Sequence, residues 1–222
     1  MHFKAILFDL DRTLAYDHHL ELDTFRLLVQ KFNIPASDAD LLIVLNQFRS
    51  GQLPLNSALG QAFTKWGLSQ QESQEAALLF RKQVLTEAHE RVEAVEGFNE
   101  VISEVEKRKI PYAMLTNGWK ELQDTKASII GFKKEVLSSE ELKAWKPDIQ
   151  LFSKALQRLK FNANDTVYVG DSPESDMVGA KEAGMQTIWA NFQHQQYPSG
   201  IVKPDAIIEK FTDLITLLPL PS

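Results

Sequence analysis

The stretch Phe3-Lys4-Ala5-Ile6-Leu7-Phe8-Asp9-Leu10-Asp11-Arg12-Thr13 is the one on which the fold turns. Ile6, Leu7 and Phe8 form an unbroken apolar run, the pattern of a strand buried on both faces, and the run ends abruptly in two acids. Side chains two apart on a strand point to the same face, so Asp9 and Asp11 are expected to share one. Two carboxylates about 4 Å apart repel by roughly 4 kcal/mol at an effective dielectric of about 20. A folded chain holds such a pair only with a compensating cation or a shared proton. Two readings stay open on this stretch alone. The acids form a nucleophile and an acid/base beside a metal, or they cap the next turn and splay into solvent.

Beyond Thr13 the pattern changes. From about Asp17 to Glu90 there is almost no strand signal. Leu22, Phe25, Leu28, Val29 and Phe32 recur at helical spacing over Glu21 to Phe32, and Leu41, Leu42, Leu45 and Phe48 repeat that period over Asp38 to Arg49. Gly51 to Pro54 interrupts it, a third helix is expected from Asn56 to Trp66, and Gly67 stops that one. Ser69 and Glu72 have the spacing of a capping box, which predicts a long helix running to about His89. This block reads as a small helical bundle.

From Gly97 onward strand and helix signals alternate. The expected helices are Phe98 to Arg108, Leu122 to Ile130, Lys146-Pro147-Asp148 through Leu159 with Pro147 at its first position, Ser175 to Ala183 before Gly184, and Phe211 to Leu218. The expected strands are Tyr112 to Leu115, a weak Val136-Leu137, Thr166 to Val169, Thr187 to Ala190 and Ala206 to Ile208. Repeated strand-loop-helix units predict an α/β fold with a Rossmann-like parallel sheet and helices on both faces. The core is then discontinuous, comprising residues 1–15 and 91–222. The all-α block, 16–90, is inserted after the first strand and sits over the strand ends, where open α/β sheets bind ligands.

Composition narrows the function. Of 222 residues 44% are hydrophobic, enough for a sizeable core. A net charge of -6 argues against nucleic acid or an anionic membrane surface as partner. The absence of cysteine excludes disulfides, thiol nucleophiles and zinc-thiolate sites. No apolar run approaches the roughly 20 residues needed to span a bilayer, and no signal peptide is evident. A soluble, cytoplasmic protein is expected, either a monomer or a weak dimer. The five histidines (His2, His18, His19, His89 and His194) fall in no metal-ligand spacing and read as surface or loop residues.

Four strand-to-helix loops offer polar side chains at one sheet edge. They carry Asp9, Asp11 and Thr13; Thr116 and Asn117; Lys146; and Asp171, Glu174 and Asp176. Taken singly, each has a plain structural explanation. Thr116-Asn117-Gly118 is a turn, Lys146 a surface lysine, and Asp171 and Asp176 are helix-terminal acids. Their convergence is what the plain explanation does not produce.

In order and spacing these loops resemble the haloacid dehalogenase superfamily, in particular its aspartate-nucleophile phosphohydrolases with a helical cap. Asp9-Leu10-Asp11-Arg12-Thr13 is similar to the first motif, Leu115-Thr116-Asn117-Gly118 to the second, Lys146-Pro147 to the third, and Gly170-Asp171-Ser172-Pro173-Glu174-Ser175-Asp176 to the fourth. The resemblance implies a Mg2+-dependent phosphatase acting on a small phosphorylated metabolite through an aspartyl-phosphate. It implies that Asp9 is the nucleophile and Asp11 the general acid/base. Thr116, Asn117 and Lys146 would hold the phosphate. Asp9, the backbone carbonyl of Asp11, and Asp171 would bind Mg2+, supported by Thr13 and Asp176.

A sugar phosphomutase would use the same aspartyl-phosphate, and a haloacid dehalogenase is disfavoured by Asp11, which its chemistry does not need. A non-catalytic binding module on the same fold would have no use for the complete set. Arg12 departs from the commonest pattern, which has Gly there, and could face substrate, the helical block or solvent. Arg49, Gly51 and Gln52 read as a surface loop between helices, with an orientation toward the site left open. Trp119 is expected to line the entrance or to pack beneath the helical block, and Tyr16 to His18 to form a hinge.

Overall fold

A computed structural model describes residues 1–220 of the chain. The opening apolar run is β1 (Ala5–Phe8), buried at every position. A two-residue strand, β2 (Ala15–Tyr16), follows it. Then come α1 (Leu20–Lys31), α2 (Asp38–Arg49), α3 (Leu55–Lys65) and the long α4 (Gln70–Arg91). The return segment β3 (Glu93–Ala94) pairs antiparallel with β2, so both connections to the helical block run side by side.

The remainder alternates. It comprises α5 (Phe98–Lys107), β4 (Tyr112–Thr116), α6 (Lys120–Ile129), β5 (Val136–Ser138), α7 (Ser139–Leu142) and α8 (Ile149–Leu159). It ends with β6 (Thr166–Gly170), α9 (Val178–Glu182), β7 (Gln186–Ala190), β8 (Ala206–Ile208) and α10 (Leu214–Leu217). The six longer strands form one parallel sheet in the order β5-β4-β1-β6-β7-β8. The fold is thus the α/β, Rossmann-like parallel sheet that the alternation predicts.

Strand alternation sorts β1 between two apolar layers. Ile6 and Phe8 face one layer, where the Phe8 ring meets Tyr112 and Phe211 edge-on at 6.3 and 6.0 Å. Leu7 faces the other, with Phe152, Tyr168 and Trp189. In the helical block Phe25, Phe63 and Trp66 pack as a cluster with centroids 5.6 to 6.4 Å apart. The capping box at Ser69 forms as its spacing predicts, with the Glu72 carboxylate accepting the Ser69 N–H at 2.9 Å and the Ser69 hydroxyl accepting the Glu72 N–H at 3.3 Å. No helix among the described residues is long and apolar enough to cross a membrane.

Several local expectations are corrected. Pro147 does not begin a helix; Asp148 caps α8 by accepting the Gln150 N–H at 2.8 Å, and the helix starts at Ile149. The expected Ser175 to Ala183 helix begins as a wider π-type turn over Pro173–Met177 and becomes α-helical only at Val178. The strands β2 and β3 and the short α7 carry too few residues for any period to show.

Near the site the packing is tight enough to require glycine. A Cβ on Gly179 of α9 would lie 2.4 Å from the carbonyl oxygen of Pro147 and 2.3 Å from the Phe152 ring. We expect Gly179→Ala to cost about 1–2 kcal/mol net, overpacking outweighing alanine's helix propensity of about 1 kcal/mol. Urea denaturation checks this; an unchanged or raised midpoint would mean that the Pro147 backbone gives way freely.

Candidate active site

Where β1, β4 and β6 end, a cavity of about 670 Å3 opens between the sheet and the helical block. Asp9, Asp11, Thr116, Asn117, Lys146, Asp171 and Asp176 all line it, facing Leu42, Phe48 and Arg49 of α2. Thr13 is wholly buried behind them, its hydroxyl 3.5 Å from Asp9 Oδ2.

Each side chain is placed by the strand that precedes it. Asp9 follows β1 directly, and its N–H still pairs with the Val169 carbonyl at 2.8 Å, so the carboxylate inherits the strand's rigidity. Its Oδ1 accepts Lys146 Nζ at 2.5 Å. The same ammonium donates to Asp176 Oδ1 at 2.7 Å and to the Tyr168 hydroxyl at 3.0 Å. An ammonium has three N–H donors, and all three are used. Tyr168 donates its own proton to the Leu115 carbonyl at 2.7 Å. The Asn117 amide brackets the Lys146 backbone: its oxygen accepts the Lys146 N–H at 2.9 Å and its nitrogen donates to the Lys146 carbonyl at 3.2 Å. Gly170 leaves room for Asp176, whose Oδ2 would lie 2.4 Å from a Cβ there.

Asp11 lines the same cavity as Asp9 but lies outside the Asp9–Asp171–Asp176 cluster and has its own partners. The strand ends at Phe8, and a tight turn returns the Leu14 and Ala15 N–H groups to the Leu10 carbonyl at 2.8 and 3.0 Å. Asp11 is thereby carried to a different partner. Its Oδ1 accepts Lys126 Nζ at 2.7 Å, and its Oδ2 accepts the Gln123 amide at 3.3 Å. Lys126 also pairs with Asp17 at 2.6 Å, in the connection leading to α1. The repulsion expected between the two acids is relieved by giving each its own lysine.

Electrostatics separate the two acids further. Burial pushes the Asp9 carboxyl up to about 8; Lys146 pulls it down, while Asp176 and Asp171 push it up. Burial and Asp176 raise Asp171 to about 6. Burial would raise Asp11 too, but Lys126 outweighs it and holds that carboxyl below its usual range. Burial opposes charge on Lys126 and Lys146, yet their carboxylate partners keep both ammonium groups above the ordinary lysine value.

Oxygens of Asp9, Asp171 and Asp176 come within 4.8 Å of one another. This all-carboxylate donor set suits a hard divalent cation such as Mg2+. Asp176 has both oxygens engaged, by Lys146 and by the Ser172 N–H at 3.0 Å, whereas Asp9 and Asp171 each have one oxygen in an ion pair and one without.

Sequence reasoning missed Lys126, Gln123, Tyr168 and Glu21. Lys126 had a signal: it interrupts the Leu122–Ile130 apolar stripe at i+4 spacing and is 2% exposed. Arg49 ends α2, as the Asp38 to Arg49 period predicts, and faces the cavity rather than lying in a surface loop, donating to Glu21 at 2.8 Å. His18 and His19, read as loop residues, lie in the connection and line the cavity mouth. Trp119 both lines the cavity and is 1% exposed, with Arg81 over its ring at 4.7 Å.

A family model for haloacid dehalogenase-like hydrolases matches residues 6–190, most of the chain and all four loops. The chain belongs to the haloacid dehalogenase-like hydrolases. YfnB, a hydrolase of this family from Bacillus subtilis, is 26% identical over 212 residues, covering 85% of this chain and 84% of its own. Its magnesium-bound crystal structure superposes with a TM-score of 0.73 at 23% identity, over 99% of this chain and 100% of that one. PynA, a pyrimidine 5'-nucleotidase of Streptococcus pneumoniae, is 24% identical over 233 residues, covering 98% of this chain and 96% of its own. The crystal structure of a 2-haloacid dehalogenase from Pseudomonas syringae shares the fold, with a TM-score of 0.77, 24% identity and 97% of each chain covered.

Raised carboxyls would make the binding of a divalent ion at this cluster proton-linked. Burial and the neighbouring acids push the Asp171 carboxyl up to about 6 and the Asp9 carboxyl up to about 8, above the ordinary aspartate range. An acid whose folded pKa is raised loses stability for the fold as pH climbs from the unfolded value to the folded one. A bound divalent ion must displace these protons, so its stabilising effect grows over the same interval. We expect millimolar Mg2+ to raise the melting temperature more at about pH 8 than at about pH 5.5. Thermal melts with and without the ion check this, and an increment equal at both pH values, or larger in acid, contradicts it.

Proposed function

We propose that this hydrolase is a Mg2+-dependent phosphatase that cleaves a small phosphomonoester through a phosphorylated Asp9. The observation that carries the reading is the buried Asp9 carboxylate, fixed on Lys146 at the floor of a cavity and clustered with Asp171 and Asp176. Asp9 and Asp171, with the Asp11 carbonyl, are the proposed ligands of Mg2+. When bound, the ion supplies the positive charge that lets a carboxylate approach a phosphate dianion.

A free oxygen of Asp9 attacks phosphorus, and the bond from phosphorus to the ester oxygen breaks. The leaving oxygen takes a proton from Asp11. Water then attacks the phosphorylated Asp9, Asp11 accepts its proton, and inorganic phosphate departs as Asp9 is restored. The Lys126 and Gln123 contacts suit the second half, because they keep Asp11 ionised and ready to accept a proton. For the first half its carboxyl must loosen from Lys126. We assign Thr116 and the Asn117 backbone to hold phosphoryl oxygens; Lys146, whose three N–H groups serve Asp9, Asp176 and Tyr168, would join them by turning one N–H from a carboxylate to the phosphate.

The helical block, residues 16–90, serves as a cap in this reading. Its contribution to the cavity is mixed: Leu42 and Phe48 are apolar, while Arg49 and Glu21 are charged and paired. Such a wall accommodates a polar organic group attached to the phosphate. The relation to PynA, spanning nearly the whole chain, makes nucleoside monophosphates the first substrates to test.

Asp9→Asn should lower phosphate release by about a thousandfold or more while the circular dichroism spectrum stays native. EDTA should abolish release from the unaltered enzyme and Mg2+ restore it. Substantial turnover by folded Asp9→Asn protein would remove Asp9 as nucleophile, and full activity in chelator would remove the metal. A phosphomutase would instead yield an isomer only with a bisphosphate primer and release little phosphate.

A further inference from the structure

Arg12 stands where a glycine is commonest in the resembling motif, and its backbone is left-handed, with φ 62°. A side chain in that region is strained, so the conformation needs compensation elsewhere. Two contacts provide it. The Arg12 N–H donates to the Ala15 carbonyl at 2.7 Å, and the guanidinium Nε lies 2.9 Å from Asp171 Oδ2.

The second contact matters because of what Asp171 otherwise lacks. Among the described residues, no hydrogen-bond donor reaches its carboxylate apart from that ion pair, and its side chain is only 15% exposed. Lys146 serves the other two acids of the cluster, Asp9 and Asp176. Positive charge is therefore divided unequally: one buried, rigid lysine for two carboxylates, and one flexible arginine, 57% exposed, for the third.

We propose that Arg12 is a tethered counter-cation that occupies Asp171 in the metal-free enzyme and that a divalent ion must displace or repel in order to bind there. The inference rests on the reading of Asp171 as a metal ligand. A guanidinium on the carboxylate and a dication on the same group repel at close range. Arginine cannot shed its charge, so it must swing outward, and its exposed position allows that. Arg12 thus sets the affinity for the ion while keeping Asp171 neutralised and oriented in its absence.

The test measures Mg2+ binding by isothermal titration calorimetry on the full chain without substrate. Arg12→Gly removes the charge and the backbone strain together; Arg12→Gln removes only the charge. Both should bind Mg2+ more tightly than the unaltered protein, by about three- to tenfold at low ionic strength, with the gap narrowing as salt screens the guanidinium. Asp171→Asn, in which the contested carboxylate is gone, should bind weakly whether residue 12 is Arg or Gln. Unchanged or weaker binding by Arg12→Gln overturns the proposal, as does tightening by Arg12→Gly alone, which assigns the effect to strain. If the unaltered protein and both Arg12 variants bind no Mg2+, the metal reading itself fails and this proposal falls with it. If the unaltered protein binds Mg2+ and Arg12→Gln matches it, only the role of Arg12 is lost.

Discussion

The whole site depends on one buried ammonium. Lys146 gives one N–H to Asp9 after β1, one to Asp176 in the turn after β6, and one to Tyr168 within β6. Asn117, after β4, fixes its backbone from the other side. Adjacent strand ends are thus tied through a single nitrogen. Desolvating such a charge costs several kcal/mol, and the Coulomb attraction returns it only when every partner is in place. The arrangement is better understood as positional than as stabilising. Once Lys146 is held, the Asp9 carboxylate is held with it, its second oxygen 3.5 Å from the Thr13 hydroxyl. The close approaches at Gly170 and Gly179 serve the same end, bringing Asp176 and the Pro147 backbone inside the distance a methyl group would allow.

Much of this was legible in the residue order. The apolar run ending in acids placed β1, and the switch from strand-like to helical spacing after Thr13 marked the inserted bundle, because both patterns arise from burial on a periodic backbone. Polar residues at the ends of successive strands converged because parallel sheets bring those ends to one edge. What stayed illegible depends on turns. The spacing of Asp9 and Asp11 suggested a shared face, yet a tight turn at Leu10 sends their carboxylates to different lysines, and no two-residue period describes a turn. Tyr168 looked like one more apolar strand residue, since the alternation does not say that a hydroxyl will meet an ammonium. The end of α2 at Arg49 was legible, but the direction of its side chain was not, because a helix's last turn can face either the site or solvent.

Giving each aspartate its own lysine has a chemical consequence. Two acids doing different work in one reaction need environments that push them apart. Here the separation comes from burial and charge counting. Asp9 is buried, shares its lysine with Asp176 and lies near Asp171, so desolvation first and the neighbouring acids second raise its carboxyl. Asp11 faces Lys126 with Arg49 also near, so positive charge is locally sufficient and its carboxyl is lowered. The first environment carries more acid than its lysine balances, and on the proposed function a divalent ion would make up the difference. The second is balanced as it stands. On that reading the asymmetry suits a nucleophile that awaits a metal and a base that does not.

The same lysine pairing links the chemistry to the helical block. Lys126 divides itself between Asp11 and Asp17, and Asp17 lies on the first of the two connections that join block to sheet. Four residues further on, Glu21 of α1 accepts both from Arg49 and, at 3.4 Å, from the indole of Trp119 beside the second loop. On the far side, the Trp145 ring lies against Gly51 with no room for a side chain, immediately before Lys146. The block therefore touches the sheet through the neighbours of Asp11 on one side and of Lys146 on the other. A rotation of the block about its paired connections cannot leave both contacts unchanged. On the proposed function, moving Asp17 would alter how firmly Lys126 holds Asp11, the loosening that donation of a proton requires. Selection of the organic group and release of the acid would then be tied to one mechanical element.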